Sequence, residues 1–209
     1  FIGAGKAGVS LGAYFRSKGL EISGYLSRSR KSAISAAELT SSKAFTALSD
    51  LAAASDIIIV STPDGAIAEV WEELRKCDIR DRIVCHLSGS LSSDIFDGIA
   101  AKSSFGYSVH PMFAFSGKDG YFEGVEKACF TLEGAKEKLG EVREIFMRTG
   151  NRIFVIDKSK KALYHASNVM VSNLVTALLS IGTESFEKCG VKKEEAIEAL
   201  LPLIRGNIE

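Results

Sequence analysis

Lys161 and His165 stand four residues apart in a stretch that reads as helix, so they share one face. Asn168 and Ser172 continue that face at i+7 and i+11. Asn173 falls about 80° round from His165, at 100° per residue, and borders the same groove. An ammonium on such a face suits one kind of chemistry. Hydride delivery to a carbonyl leaves an alkoxide-like oxygen, which a lysine there can stabilise and protonate. An asparagine can orient the carbonyl or a carboxylate beside it. Spacing alone allows a second account equally well: Lys160 and Lys161 as surface charges of a first turn, and Asn173 as a helix-packing hydrogen bonder. Two of the three histidines, His86 and His110, stand at strand ends, where a histidine taken singly is more often structural than catalytic.

These groups need a partner that carries hydride, and the start of the chain supplies the signal for one. Gly3-Ala4-Gly5-Lys6-Ala7-Gly8 is a G-x-G-x-x-G turn, preceded by apolar Phe1-Ile2 and followed by a helix over Ala7–Lys18 and a strand over Leu20–Leu26. Gly3 makes the tight turn, Gly5 lets backbone approach a pyrophosphate, and Gly8 lets helix and strand pack closely. Lys6 and Ala7 open the helix, whose N–H groups and dipole favour an anion. The βαβ context makes this a dinucleotide site.

An NAD site carries an acid about 20 residues further on, at the tip of the second strand. Here that tip is Ser27-Arg28-Ser29. A carboxylate would repel a ribose 2′-phosphate, whereas an arginine forks onto it and serines add donors. The expected cofactor is therefore NADP(H), with Arg28 as the main contact and Ser27 and Ser29 beside it.

The remaining elements place the rest of the site. Asp56–Ser61, Arg82–Leu87 and Phe105–Val109 read as parallel strands, the first a continuous apolar run of the kind buried on both faces. Their exits are Ser61-Thr62-Pro63-Asp64, His86-Leu87-Ser88-Gly89-Ser90 and His110-Pro111. Ligands of an open α/β sheet bind at such exits. Ala128–Leu132 and Arg152–Ile156 add edge strands around a helix at Ala135–Arg148. The alternation predicts an α/β fold: a doubly wound, mostly parallel Rossmann sheet over residues 1–157, then an all-α region over 158–209. That region reads as one long helix from Lys158 to Cys189, capped by Gly190, and a second from near Lys192.

Ala162–Gly182 holds no Asp, Glu, Lys or Arg. Its length suits a bilayer, but His165, Ser167, Asn168, Ser172, Asn173, Thr176 and Ser180 would be costly in lipid. A central helix buried among other helices is expected instead, with no membrane partner. Twenty-six basic residues balance twenty-six acidic ones, which removes the charge case for nucleic acid. Cys77, Cys85, Cys129 and Cys189 are scattered without metal-ligand spacing, as reduced cytoplasmic thiols would be. The chain begins at Phe1 and stops at Glu209 inside a helical reading, so it reads as cut at both ends.

The GAGKAG turn, CHLSGS, SVHP and the helix KALYHASNVMVSN together resemble Rossmann-like proteins with a helical C-terminal domain of initially unknown function, in the 6-phosphogluconate dehydrogenase C-terminal-like superfamily. Some of these are alternative ketopantoate reductases, which make pantoate with NADPH. The resemblance implies that Gly3, Gly5 and Gly8 hold the pyrophosphate, that Ser61, Thr62 and Pro63 border the nicotinamide half, and that Ser88 and Gly89, also cofactor-binding, line the active-site floor with His86 and His110. It implies that His86 and Asn168 line the substrate and that Lys161, His165, Asn173 and His110 are catalytic. It also implies a homodimer through the helical domain and a pocket-closing segment beyond Glu209. The expected activity is NADPH-dependent reduction of a small 2-oxo acid, with ketopantoate first. An imine or deazaflavin reductase and a non-catalytic NADP-binding sensor are the alternatives.

Overall fold

The computed structural model describes residues 1–115, 117 and 122–207. The chain forms two compact units, Phe1–Ala162 and Leu163–Glu209. The division falls inside a helix.

The first unit is an α/β Rossmann-like sheet, mostly parallel. Its apolar runs become strands because β-branched residues fit a pleat covered on both faces. In chain order the elements are α1 (Lys6–Ser17), β1 (Gly24–Tyr25), α2 (Arg30–Thr40), β2 (Lys43–Ala44), α3 (Leu48–Ala53), β3 (Ile57–Val60), α4 (Asp64–Leu74), β4 (Ile83–His86), β5 (Phe105–Pro111), β6 (Cys129–Gly134), α5 (Leu139–Met147) and β7 (Arg152–Val155). Five strands run in the order β3-β4-β5-β6-β7, and β1 pairs with β2. Phe1-Ile2 knits the two sheets together. Ile2 bridges both Leu26 and Val60, and its N–H donates to Ile59 O at 2.8 Å. One core cluster gathers Tyr14, Phe15, Val142 and Phe146 of α1 and α5 with Tyr107, Val109, Phe130 and Leu132 of the sheet. A second gathers Leu51, Ile67, Trp71 and Leu74 of α3 and α4 with Ile58, Val60 and Val84.

Three strand expectations need correction. Of Leu20–Leu26 only Gly24–Tyr25 forms a ladder, because its partner β2 is two residues long. Leu20 and Ile22 pack on the core instead. β5 continues through His110 and Pro111, which pair with Thr131 and Phe130. His110 is thus a ladder residue and not a strand exit. The β5–β6 pair is antiparallel, and β6 lies between β5 and β7 and is no edge.

The second unit is helical. The helix that begins at Lys161 comprises α6 (Lys161–Val169), a π-turn (Met170–Leu174) and α7 (Val175–Glu187), and α8 (Lys193–Gly206) follows with Pro202 inside it. Gly190 takes φ +91°, as a helix-ending glycine does. The helix over Lys158–Glu187 is long and apolar enough to cross a membrane by length and composition. It is not buried among other helices as expected: Leu163, Met170, Val171, Leu174, Leu178 and Ile181 are all more than half exposed. α8 packs on α7 and covers only part of it. The helix satisfies much of its own polarity. Ser167, Ser172, Thr176, Thr183 and Ser185 lie within hydrogen-bonding distance of the carbonyl four residues earlier. Ile208 and Glu209, the end of the expected helical region, lie outside the described residues.

Candidate active site

The glycine turn is built as its sequence dictates. Gly3 adopts φ +111°, which side chains rarely tolerate, and a Cβ there would stand 2.9 Å from the Ser61 carbonyl carbon. A Cβ on Gly8 would land on Ser61 Oγ, so the missing side chain lets α1 pack against the end of β3. Gly5 caps α1 without any side-chain cap, and no acid occupies the first turn. A helix start left this way presents its N–H groups to an anion. The turn opens onto a cleft of about 510 Å³, lined by Gly3, Gly5, Ser27, Arg28, Ser29, Ser61, Thr62 and Pro63 among others. Leu48, Ala66 and Val70 give it an apolar wall that suits a purine ring. Thr62 Oγ1 is buried with no hydrogen-bond partner among the described residues, a donor and acceptor still to be satisfied. The shape, the uncapped helix and the orphaned hydroxyl fit a dinucleotide. Arg28 is exposed at the rim. The Ser29 hydroxyl is shared: it caps α2, accepting from Ser32 N at 3.3 Å. Lys6, Ala7 and Gly8 lie in the first turn of α1, next to the cleft and not on its wall.

Ser88 and Gly89 lie outside that cleft, on the next strand exit. The two exits are tied together by Asp64, the first residue of α4. Ser88 Oγ and Ser90 Oγ both donate to Asp64 Oδ2 at 2.7 Å. Gly89 is covered by the His110 ring, since a Cβ would sit 2.9 Å from His110 Nε2. His110 itself is half-buried on β5.

Sheet register creates a row that the sequence does not announce. Val60 pairs with His86, His86 with Ser108, and Ser108 with Glu133. Three polar side chains therefore line one face across β4, β5 and β6. His86, expected to line the substrate, is fully buried. Its Nδ1 accepts from Ser88 N at 3.2 Å, so its Nε2 carries the proton toward Ser92 O at 3.2 Å. Burial pushes its pKa down to about 4. It is a neutral ring that shapes the Ser88-Gly89-Ser90 turn.

Lys161, the first residue of α6, ends in this row. It is 3% exposed, and its Nζ donates to Ser108 Oγ at 2.7 Å. Burial lowers its pKa to about 8, against the opposing pull of Glu133 and Asp64. Asp157 caps the preceding turn through Ser159 N at 2.8 Å, and Lys158 pairs with Asp94 at 2.7 Å. The turn that precedes the helix is thereby fixed within the first unit. Ser108 Oγ also lies 3.3 Å from Ser88 O. A continuous polar path thus joins the cleft wall at Pro63 to Asp64, Ser88, Ser108 and Lys161. Sequence reasoning missed Asp64, Ser108 and Glu133. Asp64 sits within a strand-exit segment and Ser108 within the strand read over Phe105–Val109, but Glu133 carries no local signal.

His165, Asn168 and Asn173 belong to the helical unit. His165 and Asn168 are half-buried, and Asn168 Nδ2 donates back to Tyr164 O at 2.9 Å. Asn173 is exposed and lies on the π-turn, with its Oδ1 2.8 Å from Ser172 Oγ. A turn closed by i→i+5 bonds advances less per residue than an α-turn. The offset of about 80° expected between His165 and Asn173 from regular α geometry therefore shrinks.

The Rossmann-like domain family matches residues 1–111, and the domain of unknown function DUF2520 matches residues 128–209. A search of curated proteins finds no match. Among solved structures, protein TM1727 from Thermotoga maritima is 30% identical, with a TM-score of 0.75 over 100% of this chain and 77% of that one. The pyrroline carboxylate reductase of Plasmodium falciparum with NADP bound is 16% identical, with a TM-score of 0.69 over 100% and 76%. The reductive aminase of Aspergillus terreus in complex with NADPH and ethyl-5-oxohexanoate is 15% identical, with a TM-score of 0.77 over 99% and 72%. The chain thus belongs to the family that joins a Rossmann-like domain to a DUF2520 domain.

Proposed function

We propose that this protein is an NADPH-dependent reductase of a small 2-oxo acid, with ketopantoate as the first substrate to test. The single observation that carries the reading is Lys161: a buried lysine with a near-neutral pKa, joined by hydrogen bonds to the strand exits beside a dinucleotide-shaped cleft. Gly3, Gly5, Lys6, Ala7 and Gly8 hold the pyrophosphate. Arg28, with Ser27 and Ser29, takes the 2′-phosphate. Ser61, Thr62 and Pro63 border the nicotinamide half, with Ser88 and Gly89 beyond them. NADPH, when bound, supplies the hydride for the carbonyl carbon. The Lys161 ammonium then stabilises the oxygen and gives it a proton, so that 2-oxo acid, NADPH and a proton become 2-hydroxy acid and NADP⁺. Its pKa suits this task, because the charged form dominates at neutral pH and the proton still leaves readily. For His110, His165, Asn168 and Asn173 we propose substrate orientation.

The bare apolar side chains of the helical unit favour a homodimer, since exposed apolar surface of this extent marks an interaction face. The same reading places the enzyme in the cytoplasm, apart from membranes and nucleic acid. An imine substrate is the second reading, favoured by the pyrroline carboxylate reductase and the reductive aminase that share the fold. NADPH oxidation with a panel of 2-oxo acids and cyclic imines decides between them. Turnover on neither, with NADPH still bound, would leave a nucleotide-binding sensor.

A further inference from the structure

β5 and β6 run antiparallel with Ser108 directly opposite Glu133. Opposed residues leave the same face of a sheet, with Cβ atoms about 5 Å apart. Lys161 Nζ donates to the Ser108 hydroxyl at 2.7 Å. The ammonium therefore lies against a cross-strand pair whose other member is a carboxylate. Glu133 is 2% exposed and held at both oxygens by one residue: Ser93 N donates to Oε1 at 2.8 Å and Ser93 Oγ to Oε2 at 2.7 Å. A buried carboxylate and a buried ammonium are each costly alone, and each relieves the other.

We propose that Glu133 is a positioning residue for the proposed reaction: a carboxylate clamped by Ser93 that keeps the Lys161 ammonium charged and directed at Ser108. The inference rests on Lys161 being the proton donor. Burial disfavours the charged form of this lysine, and a nearby negative charge opposes that. The groups facing Lys161 come from four strands and helices. They are Glu133 from β6, the Ser108 hydroxyl from β5, His86 from β4 and Asp64 from α4. His86 is a neutral ring, and Asp64 is exposed and occupied by two serine hydroxyls. Glu133 is left as the buried counter-charge. Lys158, which also feels Glu133, is pinned to Asp94 beside the clamping Ser93. One short turn, Ser93–Ile95, thus fixes both the carboxylate and the approach to the helix that carries Lys161.

The test follows the 13Cε resonance of Lys161 through a pH titration of the full chain labelled at lysine. The signal is assigned by its loss in Lys161→Arg. The wild type should titrate near pH 8. Glu133→Gln should lower the midpoint by about one unit or more, with NADPH affinity unchanged, and Glu133→Asp should fall between the two. An unshifted midpoint in Glu133→Gln overturns the proposal. If that variant does not fold, Glu133→Asp decides alone: a lowered midpoint supports the proposal and an unchanged one overturns it. Retained turnover in Lys161→Ala would instead remove the catalytic reading and leave the titration result standing.

Discussion

Lys161 reaches from the first residue of a helix to the middle of the sheet, where its Nζ donates to Ser108 Oγ at 2.7 Å. This bond lies within the first unit and ties the residue that opens α6 to the sheet. Ser108 lies 3.3 Å from Ser88 O, and Ser88 is tied to Asp64, the residue after Pro63 of the cleft wall. A lysine on a solvated first turn would make no such connection.

The cofactor choice rests on Arg28 at the cleft rim. Charge-assisted hydrogen bonds are worth roughly 1.5–3 kcal/mol each. Arg28→Ala should weaken NADPH binding by about one to two orders of magnitude and leave NADH binding almost unchanged. Fluorescence titration of both nucleotides measures this. Equal losses would remove the case for a 2′-phosphate contact.

His86 makes stability depend on pH. Its folded pKa is about 4, below the ordinary 6.5. Between those values the unfolded chain binds a proton that the folded chain refuses, so stability rises with pH across this window. Full stability is present above about pH 6.5 and is lost as pH falls toward 4. The total is on the order of 3 kcal/mol. Urea unfolding at pH 7 and pH 5 should show the loss, and His86→Asn should flatten it. A wild-type curve that is flat over this range would contradict the tautomer and burial assigned to His86.

Gly8 tests the turn itself. Gly8→Ala puts a methyl onto Ser61 Oγ and should cost about 1–3 kcal/mol of stability, as overpacking does. Gly5, which has nothing within 4 Å of an added Cβ, should accept alanine without that loss and weaken NADPH binding instead. Thermal unfolding alongside nucleotide titration separates the two. Matching behaviour at both positions would mean that the turn does not divide its work as described.

The helical surface predicts self-association. Leu178 is 67% exposed in the single chain. In a monomer Leu178→Glu would be harmless. In the proposed homodimer it should shift the sedimentation coefficient from dimer to monomer. A wild type that sediments as a monomer at all concentrations rules out that use of the face.

The parts of the fold visible in the sequence were those with a local signature. The G-x-G-x-x-G turn is local chemistry, and Ile57–Val60 and Ile83–Cys85 are unbroken apolar runs. Lys161 and His165 share a helix face by simple spacing. What could not be read depends on partners distant in the chain. Glu133 gains meaning only from its register with Ser108, and that register needs an antiparallel pairing the βα alternation does not suggest. His86 looked like an exit residue because its burial comes from Phe96 and the turn that follows it, packed at a ring distance of 5.4 Å. The long helix looked buried because apolar composition does not say what covers it.

The account turns on Lys161 as the proton donor. The decisive measurement is kcat for NADPH oxidation with a turned-over 2-oxo acid, followed against pH in the wild type and in Lys161→Ala. The protonated lysine is the active form for reduction, so the wild-type rate should fall as pH rises through about 8. The alanine variant should lose about two to four orders of magnitude and the pH step with it. A variant that keeps the wild-type rate and the same profile would contradict the account.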